Sequence, residues 1–226
     1  MVASREALIV AATALAAAVA VYAVTGAALW VAPFALVAAV VLYMHRDPDR
    51  EVPAAPLALV SPADGVVRFV GEVRDPYLDR NCLCVRINIS LLGPLVLRSP
   101  TEGKVAQQWF HPRGGAAHAR VSAGGRYAVL IQTDEGDEVV LEVSGRFLAW
   151  RLRCRAVTGE RLGQGQRCGY LRWRARVTLY APGGTRAQVE SGERVLAGRS
   201  VLASLVHGAA TAAGEAHGEA RSAPAV

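Results

Sequence analysis

The sequence predicts a mostly β domain behind an N-terminal pair of apolar helices, and two features predict it. Between Ala7 and Met44 nearly every residue is apolar, relieved only by small polar residues such as Thr13, Thr25 and Gly26. After residue 55 no long amphipathic helix pattern appears, and short apolar or alternating segments are separated by Gly- and Pro-containing turns. At 226 residues the chain has room for one domain with a real core plus an appendage.

The apolar run is long enough for two short membrane-spanning helices, each of which needs about 20 apolar residues. Thr25-Gly26 is the natural break, which gives a transmembrane hairpin at 7–24 and 27–44 within residues 1–45. Arg5 precedes the first helix, and His45-Arg46-Asp47-Pro48-Asp49-Arg50 follows the second, whereas the turn carries no charge. The positive-inside tendency then predicts a multi-pass protein of the cell membrane, with both ends and the soluble domain in the cytoplasm. A cleaved signal peptide is the rival reading, but it leaves the second apolar segment unexplained.

The formal charge is +6, and the positive charge is almost entirely arginine, since Lys104 is the only lysine. Arginine's planar fork suits phosphate and carboxylate groups, so anionic lipid and nucleic acid are the candidate partners. These arginines are not interleaved with an aromatic platform, and a bilayer anchor favours lipid, so no nucleic-acid partner is expected. Cys82, Cys84, Cys154 and Cys168 form no Cys-x-x-Cys pair, and Cys82 and Cys84 would share one strand face. They read as ordinary thiols, and no metal site is expected.

Residues 46–206 form the expected β domain. Arg46-Asp47-Pro48-Asp49-Arg50-Glu51-Val52-Pro53 is a charged linker with helix-breaking prolines. Ser61-Pro62-Ala63-Asp64-Gly65-Val66-Val67 and Ser99-Pro100-Thr101-Glu102-Gly103-Lys104-Val105 are related turns feeding β-branched strands, and Ser191 to Gly198 is a third. Repeated Gly-Val turns of this kind resemble barrel-sandwich folds, including lipoyl and biotinyl carrier domains. Strands are expected at Cys82 to Ile89, Tyr127 to Gln132, Glu138 to Val143 and Arg172 to Tyr180. Residues 207–226 turn to Ala, Gly, Glu and Ser and read as a disordered tail.

The most specific stretch is Gly165-Gln166-Arg167-Cys168-Gly169-Tyr170-Leu171-Arg172-Trp173-Arg174-Ala175-Arg176-Val177, continuing to Tyr180 and Pro182. It resembles the C-terminal signature of the phosphatidylserine decarboxylase family, Gly-Gln-Arg-Phe-Gly-x-Ile-Arg-Phe-Gly-Ser-Arg-Val-x-x-Tyr-x-Pro. Residues 46–53 resemble the segment that opens the soluble part of the small membrane-anchored members, and Ser61-Pro62-Ala63-Asp64-Gly65 matches a further element of that family. The resemblance spans about residues 46 to 203. It implies a barrel-sandwich-like phosphatidylserine decarboxylase fold.

In that family the chain cuts itself between the Gly and the Ser, and the Ser becomes a pyruvoyl group that serves as electron sink for decarboxylation. The Gly-Ser pair falls here on Arg174-Ala175, and an alanine methyl offers neither lone pair nor leaving group. The resemblance makes Asp64 the carboxylate that polarises a histidine, but that residue also reads as a turn residue capping its own backbone. The family's Asp-Val-His-x-Asn-Arg-x-Pro stretch falls on Gly93, Leu95 and Leu97, with register pinned by Arg98, Pro100, Gly103 and Val105. Leu95 therefore stands at the His position. His111 and His118 lie in a nearby loop, where solvated histidines are the ordinary occurrence.

These readings predict a membrane-anchored, non-catalytic relative with no cofactor, since the pyruvoyl precursor is absent. Its expected role is lipid-binding or regulatory. Arg98, Arg172, Arg174 and Arg176 are the candidates for contact with an anionic aminophospholipid. An active paralogue or a second copy is the expected protein partner. Two alternatives stay open. One is an active decarboxylase making phosphatidylethanolamine by an unusual maturation, with Cys168 the nearest upstream nucleophile. The other is a carrier or adaptor module of barrel-sandwich type, although Lys104 follows Gly103 at a strand start and lacks the hairpin setting between hydrophobic residues that a carrier lysine has.

Overall fold

The computed structural model describes residues 5–26, 31–44, 48–55, 57–90, 93–111, 125–145, 156–171 and 175–206. Two helices come first, α1 (Arg5–Thr25) and α2 (Ala32–Met44), and they pack against each other. The expected break is real. Gly26 follows α1 with a φ of 65°, and its N–H reaches the Tyr22 carbonyl at 2.8 Å, a helix end that glycine makes without steric cost. The helices nevertheless differ from the expected 7–24 and 27–44. The 13 residues of α2 rise only about 20 Å, short of a hydrocarbon core of about 30 Å. Among the described residues no helix is long and apolar enough to cross a membrane. The transmembrane form of the hairpin is therefore not supported by the structure.

The rest of the described chain is mostly β. In order the strands are β1 (Ala58–Val60), β2 (Gly65–Arg74), β3 (Asn81–Ile89), β4 (Val96–Arg98), β5 (Gly103–His111), β6 (Gly125–Gln132) and β7 (Glu138–Gly145). Then come β8 (Arg161–Leu162), β9 (Arg167–Tyr170), β10 (Arg176–Pro182), β11 (Arg186–Ala187), β12 (Arg194–Val195) and β13 (Val201–Ser204). Three of the four expected long strands appear nearly as read. The fourth is shorter at its start: β10 begins at Arg176 rather than Arg172, and residues 172–174, like the tail 207–226, lie outside the described residues.

Eight strands form one sheet in the order β12-β2-β3-β10-β7-β6-β5-β8, which curls into half a barrel. Side chains alternate along β3, while register shifts interrupt β2 between Val67 and Phe69 and β5 between Val105 and Gln107. On β3, Leu83, Val85, Ile87 and Ile89 point to one face, whereas Cys82 and Cys84 point to the other. The first face carries two adjoining apolar clusters. The small sheet β1-β13-β11 covers one with Leu59, Leu202 and Ala203, and the pair β4-β9 covers the other with Leu97 and Cys168. Burying a leucine of this kind contributes about 1.5–3 kcal/mol, so the small sheets are held by apolar area more than by their few hydrogen bonds.

The opposite face carries Cys82, Cys84, Val140, Leu130 and Tyr180. The β2–β3 turn places Tyr77 and Leu78 against it. Asp75 anchors that turn, its Oδ1 accepting the Tyr77 N–H at 2.8 Å. Burial pushes the Cys82 thiol up to about 12, with Asp75 adding to the effect. The Cys84 thiol is pushed up to about 11, again chiefly by burial. Burial and then Glu142 raise the hydroxyls of Tyr77 and Tyr180. Both thiols are buried and free.

Candidate functional site

The positions singled out from the motifs gather at one end of the large sheet, where β3 ends and β10 begins. Glycine makes the approach possible. A Cβ on Gly65 would lie 2.2 Å from the Asn88 carbonyl oxygen, so only glycine lets β2 enter against β3 here. Asp64, just before it, accepts the Ser90 N–H on its carbonyl at 2.8 Å. Gly93 sits against the same residue, since a Cβ there would stand 3.3 Å from the Asp64 Cβ.

Leu95 and Ala175 are brought together. Both are 4% exposed, and both belong to one buried cluster with Leu97, Ile89, Cys168, Leu171 and Val177. Backbone bonds frame it: Leu171 N–H donates to the Leu95 carbonyl at 2.9 Å, and Ile89 N–H to the Ala175 carbonyl at 3.5 Å. The two groups in that cluster with polar atoms on their side chains are Cys168 and Tyr127, and the Tyr127 hydroxyl donates to Gln108 Oε1 at 3.0 Å.

The Asp64 carboxylate is not a local turn cap. Its Oδ2 accepts from Arg50 Nη2 at 2.7 Å, its Oδ1 from Arg50 Nη1, and Oδ1 also accepts the Ala197 N–H at 2.8 Å. The second Arg50 fork atom reaches the Ala197 carbonyl as well, at 3.0 Å. Side-chain exposure of 13% for Arg50 and 7% for Asp64 makes this a buried pair. Arg50 escaped notice as a site residue because its segment reads as a solvated linker; the signal was its place in a matched motif.

The linker is in fact strapped down along its length. Arg98 donates from Nη1 to the Gly165 carbonyl at 3.0 Å and from Nη2 to the Pro48 carbonyl at 3.3 Å. Burial, with Arg50 close by, lowers the Arg98 pKa. Val52 packs on Gly165, where a Cβ would come within 2.5 Å of the valine Cγ2. Gln164 Nε2 donates to the Ala55 carbonyl at 3.2 Å and to that of Ala58 at 2.5 Å.

The remaining candidates fall elsewhere. Arg176 is half-buried on the other face of the sheet, its Nε donating to Asn88 Oδ1 at 3.4 Å. Arg172, Arg174 and His118 lie outside the described residues. His111 is exposed at the end of β5, 6.3 Å from the Tyr77 ring. Lys104 is exposed within β5, paired with Gln132 on one side and Arg161 on the other, and so is not at the tip of a hairpin. No group of three or more metal-ligating side chains occurs among the described residues.

A family model described as phosphatidylserine decarboxylase matches residues 37–203. Among curated proteins, the phosphatidylserine decarboxylase proenzyme of Nitrosomonas europaea is 38% identical over 179 residues, covering 77% of this chain and 82% of its own length. The proenzyme of Aromatoleum aromaticum is 33% identical over 180 residues, covering 78% and 83%. That of a Burkholderia cenocepacia strain is 36% identical over 177 residues, covering 76% and 82%. No solved structure matches the chain.

Proposed function

The chain belongs to the phosphatidylserine decarboxylase family, and from that premise we propose that it is a non-catalytic, lipid-binding or regulatory member. The observation that carries the reading is the shared burial of Leu95, Leu97 and Ala175 in one apolar cluster. Self-cleavage needs an oxygen nucleophile with a base beside it. A leucine moves no proton, and an alanine has no hydroxyl. The residues present do not fit a pyruvoyl group, so no chemical step is assigned to one.

The retained carboxylate does not alter this. Asp64 is engaged by Arg50 and the Ala197 N–H, and its role is to hold the linker to the domain. What the family scaffold offers without that chemistry is a surface for an aminophospholipid, and a shape that an active paralogue or second copy can pair with. Bilayer attachment falls to the helix pair, which exposes Ile9, Leu15, Val19, Tyr22, Leu36, Val37 and Val40. The arginine-rich surface favours anionic headgroups.

The test is the intact mass of the purified full-length protein, with a denaturing gel beside it. One polypeptide near 23.9 kDa is expected. Two fragments divided between Arg174 and Ala175, the smaller with a blocked N-terminus, would overturn the proposal. They would favour the active reading, in which Cys168, a member of the same cluster, is the nearest nucleophile.

A further inference from the structure

We propose that the outer edge of β2 docks a second copy of this chain, the two β2 strands pairing antiparallel about a two-fold axis through Val70. Among the described residues, strand pairing leaves this edge open. β12 covers only its start: Arg194 and Val195 pair with Val66 and Gly65, and the Val67 N–H donates to the Glu193 carbonyl at 2.9 Å. The Ser191 hydroxyl then donates to the Arg68 carbonyl at 3.2 Å. From Phe69 to Arg74, β2 pairs with β3 on one side and with no described strand on the other. Such an edge presents N–H and C=O groups to any strand that fits it.

The direction of those groups follows from the ladder. Asp75 donates its N–H inward, to the Arg80 carbonyl at 2.8 Å. Alternation then turns the main-chain groups of Val70 and Glu72 outward, and the serine bond shows the Arg68 carbonyl facing out as well.

Charge decides what fits. Because the outward groups alternate, a two-fold axis between identical strands passes through a residue. An axis through Gly71 sets Arg68 against the copy's Arg74, and one through Glu72 sets two glutamates opposite each other. Like charges directly opposite are destabilising. An axis through Val73 brings in Pro76, which has no N–H, and Arg74, which already pairs with Asp79. An axis through Val70 sets each Arg68 against the copy's Glu72. Both side chains are exposed, and neither forms an ion pair within the described chain.

The same register lays Phe69 opposite the copy's Gly71. Phe69 is 37% exposed, with the Arg86 guanidinium carbon 5.4 Å from its ring centroid. A Cβ on Gly71 would stand 3.1 Å from that ring, so glycine keeps room on this face for two phenyl rings side by side. Charges and a bulge, here between Val67 and Phe69, are what guard an edge against arbitrary strands. On this edge the charges match the chain's own sequence. The surface is indifferent to catalysis, since β2 lies whole on one side of residue 175.

Sedimentation equilibrium of the full-length protein in density-matched detergent reads the mass of the assembly. Wild type is expected to be a reversible dimer. Arg68→Glu and Glu72→Arg should each weaken dimerisation about tenfold, because each sets like charges opposite at two symmetric places. The two combined exchange the signs and should return to within about threefold of wild type. Val70→Pro removes an N–H that faces away from β3, so it should abolish the dimer and leave the fold intact. A wild-type monomer overturns the docking edge, whatever else then covers it. So does a dimer that both single charge variants leave unchanged, which would place association on the helix pair. A combined variant no better than the singles, or a folded Val70→Pro protein that still dimerises, overturns it too. If Val70→Pro fails to fold, the charge exchange decides.

Discussion

Arg50 and Asp64 are a two-pronged buried ion pair joining the segment that leaves the helices to the turn that opens the β domain. Removing one member of such a pair strands a charge, at a cost of about 3–5 kcal/mol. Arg50→Ala and Asp64→Ala should each lower unfolding free energy by about that amount. The double variant should cost well under the sum, because the loss is shared. Denaturant melts of the four proteins check this. Additive losses would mean that the two side chains act independently.

Ala175→Ser on its own should leave the chain uncut, because a hydroxyl without a base stays unreactive and Asp64 is already occupied by Arg50. Adding Leu95→His returns both groups to the cluster, and partial cleavage before residue 175 is the expected outcome. The imidazole enters an apolar setting, so the double variant should also lose about 1–3 kcal/mol of stability. Mass spectrometry of both variants reads the result. Cleavage by the serine variant alone would reveal a base elsewhere in the chain.

The buried thiols and phenols make the fold sensitive to alkali. Cys82 and Cys84 are held protonated up to about 12 and about 11, against an ordinary value of 9.0. Above pH 9 the unfolded chain releases these protons while the folded chain keeps them. Each such proton lowers stability by about 1.4 kcal/mol per pH unit. Stability should therefore be level in this respect below pH 9 and fall as pH climbs through the range to about 12. Melts of wild type and of the Cys82→Ala, Cys84→Ala double variant should diverge in slope there, the variant being shallower. Equal slopes would mean that the thiols titrate alike in both states.

Membrane attachment through the helix pair predicts that charge on its exposed apolar surface releases the protein. Val37 and Val40 are both exposed on α2. Replacing both with lysine should move most of the protein from the membrane fraction to the supernatant, since each charge opposes transfer into hydrocarbon by about 2.5 kcal/mol or more. Unchanged fractionation after both substitutions would place attachment elsewhere.

Much of this was legible in the chain because it rests on local pattern. The alternation around Cys82 to Ile89 set both the strand and the face of each cysteine, and Thr25-Gly26 marked the end of a helix. Asp64 was legible as a motif residue but not in its role, because its partners stand 14 and 133 positions away. β4 and β9 are short and owe their place to Leu97 and Cys168 packing on the large sheet, a tertiary effect no window of sequence contains.

The weave of the last strands has one more consequence. The stretch after residue 174 contributes β10 to the middle of the large sheet between β3 and β7, β12 to its edge beside β2, and β11 and β13 to the small sheet around β1. A break in the covalent chain just before Ala175 would sever none of these ladders. The C-terminal stretch would remain interlaced with the rest at three separate places, like a thread sewn through cloth and then snipped at one end. The architecture is therefore neutral to whether the polypeptide is one piece or two. A lineage can give up cutting its chain, or take it up, without having to reinvent the fold.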